Sequence, residues 1–356
     1  MKILDWYIIR KFLGTYIFAI FLILAITVMF DINEKLDAFL KAPLSATVFD
    51  YFLNFLPYFA NQFSPLFTFI AVIFFTSKLA DNSEIIAMLS TGMSYNRLLR
   101  PYMISAAVIA LATYILSAYI IPPANIERIE YTNTYVKNKR VDYGVNIQLQ
   151  VAKGEIAYMS RYDNTQKTGY KFSLESFDGK RLVSRLTAQT IRWDTLHNWT
   201  VRDYMIRDFE GEREKITRGR RLDTIIPFEP RDFLISKNDH ETMTSPELQD
   251  YISRQKERGV ANIKSFEIEN HRRYAMTAAA FILTVIGMAL SSRKIKGGMG
   301  VNIGIGLVLS FSYILFMTVT STFAVTGATS PMVAMWIPNI IYSIIAIFLY
   351  WRVSHQ

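Results

Sequence analysis

The sequence predicts a polytopic α-helical membrane protein: six transmembrane helices with an inserted periplasmic all-β domain of jelly-roll or sandwich type. Three observations carry this. Several apolar runs of about 20 residues hold no charge, which is the length a helix needs to cross a bilayer. Hydrophobic residues make up 51% and aromatic residues 14% of the 356, heavy for a soluble domain. Between spans three and four the pattern changes to short alternating segments punctuated by Gly, Asp and Asn, which signal hairpins. The organisation expected is residues 1–123 as spans one to three, 124–243 as the β domain, and 244–356 as a periplasmic helix with spans four to six.

The first dozen residues, MKILDWYIIRKF, are basic and amphipathic, with Trp6 and Tyr7 suited to an interface. They lead into span one, Phe12 to Phe30, read as a signal anchor because no small-residue cleavage site precedes Asp31. An outer loop from Asp31 to Asp50 carries Lys35 and Lys41. Span two, Tyr51 to Thr76, places Asn54, Pro57, Asn61 and Pro65 on one helical face, for interhelical hydrogen bonds or a bendable wall. Ser77 to Pro101 is a short water-facing segment, and Lys78, Arg97 and Arg100 mark its side as cytoplasmic. Within it Asn82 or Ser83 is placed to cap a helix, Glu84 falls in the first turn and Gly92 ends it. Ile85, Met88 and Leu89 are expected on its exposed side. Span three runs from Pro101 to Ile121 and stops at Pro122-Pro123.

Strands are expected at Asn146–Val151, Glu155–Tyr162, Tyr170–Ser176, Val201–Arg207 and Glu214–Leu222, with Trp193 and Trp199 in the core. Thr244 and Glu247 fit a capping box for a polar helix that ends near Gly259. Spans four to six follow at Tyr274–Ser292, Met299–Thr322 and Val333–Trp351. Arg293, Lys294, Lys296 and Gly297 form a second inner loop, and both termini fall inside. Gly300-x-x-x-Gly304 allows a second helix to approach closely.

The inventory excludes several activities. Without cysteine there is no disulfide, thiolate metal site or thiol nucleophile. No G-x-x-x-x-G-K-[ST] loop is present to bind ATP, no G-x-S-x-G elbow occurs, and the four histidines lack metal-ligand spacing. No cofactor is expected. The net charge of +9 sits mostly at helix ends and calls for no nucleic acid. No Asp, Glu, Lys, Arg or His falls inside the apolar core of the predicted spans, which argues against a proton-driven pump. The lining on offer is Phe, Leu, Ile and Met with a few amides and hydroxyls, a wall suited to lipid tails.

Leu79-Ala80-x-x-x-Glu84-x-x-Ala87 with Gly92, then Leu98 to Pro101, resembles the inner-loop signature of the LptF/LptG (YjgP/YjgQ) permeases. Glu267 through Arg272-Arg273, into a span ending Gly287-x-x-Leu290 and followed by basic residues, resembles their second conserved stretch. Ala275-Met276 departs from the proline found in many relatives. The resemblance implies a transmembrane subunit of the lipopolysaccharide export ABC transporter in the bacterial inner membrane. It implies a second homologous permease subunit, a separate cytoplasmic ATPase that consumes the ATP, and periplasmic jelly-roll bridge proteins as partners. Glu84, Ile85, Ala87, Met88, Leu89 and Gly92 would dock the ATPase; Lys35, Lys41, Arg272 and Arg273 would meet lipid phosphates. For Arg272 and Arg273 the competing expectation is pairing with Glu267 or Glu269. The rival functions are a permease for another lipid or lipoprotein, and a membrane-tethered sensor.

Overall fold

A computed structural model of the chain describes residues 3–136, 143–211, 213–230, 239–257, 263–293 and 298–355. The chain divides into two compact units. The first comprises Met1–Asn138, Glu241–Leu248 and Lys264–Gln356; the second comprises Lys139–His240 and Gln249–Ile263.

The first unit is helical: α1 (Ile3–Glu34), α2 (Leu36–Lys41), α3 (Leu44–Ala46), α4 (Leu53–Gln62), α5 (Ser64–Asp81), α6 (Glu84–Ser90), α7 (Tyr95–Ile115) and α8 (Ile121–Tyr131) come first. After α9 (Ser245–Glu257), α10 (Lys264–Ser291), α11 (Gly298–Thr326) and α12 (Pro331–Ser354) complete it. Among the described residues, six helical segments are long and apolar enough to cross a membrane. The predicted loop at Lys294, Lys296 and Gly297 and the helix end at Gly259 lie outside the described residues.

Several boundaries differ from expectation, mostly because of proline. The amphipathic start and span one form one continuous helix, α1. The expected outer loop is helical, ending in a widened π turn at Thr47–Phe52. Span two breaks at Phe63, because Pro65 has no N–H for an α bond to Asn61 and instead opens α5. Span three does not stop at Pro122-Pro123. The backbone widens to a π turn at Leu116–Ile120, and the two prolines follow it in the first turn of α8, so the helix passes their missing N–H groups without stopping.

Helix α5, the most buried of the membrane-length helices among the described residues, packs against α1, α10 and α11. Phe67, Phe69, Ala71, Val72 and Ile73 are buried on it. Small residues let α10 and α11 approach: a Cβ on Gly287 would lie 2.8 Å from Val72 Cγ1, and one on Gly306 would meet Ile73 Cδ1. Gly300 and Gly304, expected at a close crossing, have nothing within 4 Å of a Cβ. Buried polar side chains fasten the bundle. Tyr313 donates to Asn339 Oδ1 (2.8 Å), whose amide donates to the Ala275 carbonyl (2.8 Å), joining α11, α12 and α10.

The second unit is an up-and-down antiparallel sheet of six strands in the order β1 to β6. They are β1 (Tyr143–Ala152), β2 (Glu155–Asp163), β3 (Thr168–Asp178), β4 (Arg181–Thr195), β5 (Asn198–Glu210) and β6 (Arg213–Ile225). Two inward-facing rows run across it: Met159, Phe172, Ala188, Tyr204, Gly219, and Tyr162, Gly169, Ile191, Val201, Leu222. Along each of these five strands the rows lie three residues apart instead of two. In a flat sheet an odd step points the two rows to opposite faces. Here residues from both rows lie in one core, so the sheet bends across the pair of rows between them. Lys171 and Asp203, both at φ 51°, lie on that line. A sheet folded over a shared core fits the predicted jelly-roll class.

Trp199 anchors this core, fully buried, with Nε1 donating to the Phe228 carbonyl at 3.0 Å. Trp193 sits at its margin, half-buried, beneath the Lys167 ammonium 5.0 Å from the ring centroid. At the start of α9, the Thr244 hydroxyl and backbone N–H both donate to Glu247 Oε2, at 2.7 and 2.9 Å. Those bonds hold the Glu247 carboxyl below the usual glutamate range.

Candidate functional site

The short helix α6 is carried between two long apolar helices. Its entrance is tighter than a standard cap: Ser83 occupies the N-cap position at φ 63°, and its side chain makes no capping bond. The Asn82 amide instead donates to Glu84 Oε1 at 3.3 Å. The exit is closed by Gly92, at φ 85°, whose N–H donates to the Leu89 carbonyl at 3.0 Å. Hydroxyls of Ser90 and Thr91 bond the Ala87 and Met88 carbonyls.

The i, i+3, i+4 face of α6 was identified correctly but points the other way. Ile85 is only 1% exposed, packed in a cluster with Ile8, Phe12, Leu98 and Tyr102; Met88 and Leu89 lie partly buried against it. The seven-residue stretch is too short for its polar residues to show which side faces water. The outward face is Ile86, Ala87 and Ser90, with Ile86 59% exposed. Ile86 escaped the sequence reading because it lies off that face. Glu84 stands half-buried beside this patch, and Tyr7 of α1 donates to its Oε2 at 3.0 Å.

The cationic candidates fall in two places. Lys35 is the residue between α1 and α2, and its ammonium is taken up by Asp31 and the Tyr51 hydroxyl. It also lies 5.0 Å from the Tyr51 ring centroid. Lys41, the last residue of α2, is exposed. Arg272 and Arg273 converge on Glu269 rather than Glu267: Arg272 Nη2 is 2.7 Å from Oε2, and Arg273 Nε is 3.0 Å from Oε1. Arg273 also donates to Ser245 Oγ (3.0 Å) and the Met243 carbonyl (2.9 Å). At 3% exposure it is a structural residue, whereas the Arg272 side chain keeps 32% of its surface open.

These arginines line a cavity of about 30 Å³ together with Tyr58, Asn61, Asn125 and Glu241. Arg128 pairs with Glu241 at 3.4 Å and lies over the Tyr58 ring, 4.2 Å from its centroid. Arg128 and Glu241 were not singled out from sequence. Glu241 is 113 residues from its partner, and no local pattern announces such a pair. Among the described residues no group of three or more His, Cys, Asp or Glu side chains is placed to hold a metal ion.

Six membrane-length helices, a β domain inserted in the chain and a short helix presented between two of them define a multi-pass membrane protein. Residues 6–352 match the family model described as lipopolysaccharide export system permease LptF/LptG, and the chain belongs to that family. No curated protein matches it. Family membership makes the chain a lipopolysaccharide export permease, a class of transport subunits that are not themselves ATPases.

Proposed function

We propose that this chain is the transmembrane subunit of an ATP-driven exporter that lifts lipopolysaccharide out of the inner membrane and passes it to a periplasmic jelly-roll bridge. Drawing acyl chains out of a bilayer costs about 0.8 kcal/mol per CH₂ exposed to water, so a multi-chain lipid demands external work and a shielded path. The work comes from a separate cytoplasmic ATPase, which binds the ATP. The path is enclosed between this subunit and a second homologous permease. Both termini lie in the cytoplasm, and the β domain begins the periplasmic route.

The observation carrying this reading is α6. An apolar residue on a short polar-flanked helix, Ile86 at 59% exposure, stands beside an acidic side chain, which suits a partner's hydrophobic slot with a basic rim. Along the lipid path, Lys41 is available to phosphates as it stands; Lys35 and Arg272 become available on leaving Asp31 and Glu269.

Glu84→Arg is expected to leave membrane insertion unchanged and to abolish copurification of the ATPase with the permease in mild detergent. Retention of the ATPase at the level of the unmodified chain would refute the docking role of α6.

A further inference from the structure

Helix α1 has 32 residues, so it is about 48 Å long. Only 11% of its membrane window is buried within the chain, and Ile17, Phe18, Phe21, Leu22, Met29 and Phe30 are exposed. Its first three turns are held quite differently. Ile8 and Phe12 have no exposed surface and share a core with Ile85 of α6 and Leu98 of α7. The Asp5 carboxylate, 6% exposed, is gripped by both terminal nitrogens of Arg97, at 2.6 and 2.8 Å. Tyr7 bonds Glu84 at 3.0 Å. One end of α1 is therefore tied to both sides of the docking segment: to its helix through Tyr7, and to the start of the next span through Arg97.

We propose that Asp5, Arg97 and Tyr7 are positioning residues that make α1 the output arm of the docking helix, so that a displacement of α6 by its ATPase moves α1 as a body. The inference rests on the docking reading above and adds the element that receives the motion. A bidentate pair suits this task. Arginine and carboxylate meet in one geometry through two parallel bonds, so the joint transmits rotation as well as pull. The buried Ile8–Ile85 packing keeps the helices in contact, and close-packed interfaces shift between discrete arrangements instead of deforming smoothly. Beyond Phe12 the side-chain ties of α1 are the Tyr16 hydroxyl on Ser64 Oγ at 2.9 Å and Asp31 with Lys35, while one face stays exposed along its length, so movement at its foot is carried along that face.

The test uses the complete permease complex with its ATPase in proteoliposomes. It reads ATPase retained, ATP hydrolysed and lipopolysaccharide released per ATP. Asp5→Asn is expected to keep the ATPase bound and hydrolysing while lipid released per ATP falls about tenfold, the factor that corresponds to roughly 1.4 kcal/mol lost from a charge-assisted pair. Asp5→Arg combined with Arg97→Asp is expected to recover most of that loss. Should Asp5→Asn fail to accumulate, the paired variant Asp5→Cys/Arg97→Cys serves, because the chain has no other cysteine. Bridged by a short bis-maleimide it keeps the normal ratio; with each thiol capped separately it shows the tenfold fall. An unchanged ratio in Asp5→Asn, or equal ratios in the bridged and capped forms, overturns the proposal. If Glu84→Arg leaves the ATPase bound, the docking reading fails. If Glu84→Arg releases the ATPase and Asp5→Asn stays coupled, only the output arm fails.

Discussion

Glu269→Leu is expected to destabilise the helical unit by about 3–5 kcal/mol, the cost of stripping the counter-charge from buried cations. The Glu269 and Arg273 side chains are 8% and 2% exposed, and one carboxylate serves both arginines. Removing it leaves the Arg273 guanidinium with Ser245 Oγ and the Met243 carbonyl, two neutral acceptors that do not balance its charge. Arg272, more exposed, can redirect its head toward water. The loss is a large fraction of the roughly 5–15 kcal/mol by which a folded domain is held together. Denaturant titration in detergent reads it directly. Two companions locate the cause. Glu269→Leu with Arg273→Met removes both charges of the buried pair and is expected to regain much of the stability. Arg272→Gln is expected to change stability by no more than about 1 kcal/mol and to act on lipid binding instead. An equal loss of stability in Arg272→Gln and Glu269→Leu would show that the two arginines share one role.

Gly287→Val is expected to force α10 away from α5, at a cost of about 1–3 kcal/mol from overpacking. The new Cβ would stand 2.8 Å from Val72 Cγ1 and 3.1 Å from Val72 Cβ. Valine is stiff at χ1, and an atom one bond from the backbone has little room to yield. Gly306 makes the contrast. Its added Cβ meets Ile73 first at Cδ1, the far end of a flexible side chain, so Gly306→Ala is expected to be milder. Gly300→Ala and Gly304→Ala meet nothing within 4 Å and are expected to cost no stability, and to add up to about 1 kcal/mol through helix propensity. The ranking Gly287, Gly306, then Gly300 and Gly304, measured by the same titration, checks which glycines serve packing within this subunit.

Hydropathy alone located the six membrane-length helices found among the described residues, because burial in lipid demands long uncharged runs whatever the tertiary arrangement. The breaks inside those runs were harder to read. Pro57 lies within α4, Pro65 opens α5, and Pro122-Pro123 continues a helix through a π turn. A proline marks a lost hydrogen bond, and tertiary packing decides how the chain absorbs it. Strand β4 went unrecognised, although the change of spacing at its bend is one its neighbours share. At the docking helix, periodicity grouped Ile85, Met88 and Leu89 correctly, but only the position of Ile8 and Phe12 decides that this group faces inward. The pairs Asp5–Arg97 and Arg128–Glu241 join residues 92 and 113 positions apart, and no local spacing reveals them. Glu269 was legible as an alternative partner for the arginines because it lies three and four residues before them on one helix.

The proposed function requires that α6 face the cytoplasm, where a soluble ATPase can reach it, and that the β domain lie across the membrane. Single cysteines at Ile86 and Lys180, both exposed in an otherwise cysteine-free chain, allow a direct measurement with a membrane-impermeant maleimide on spheroplasts and on inverted vesicles. Position 86 is expected to react only in inverted vesicles, and to be shielded there when the ATPase is bound; position 180 is expected to react only in spheroplasts. Reaction of both positions from the same side would contradict the account.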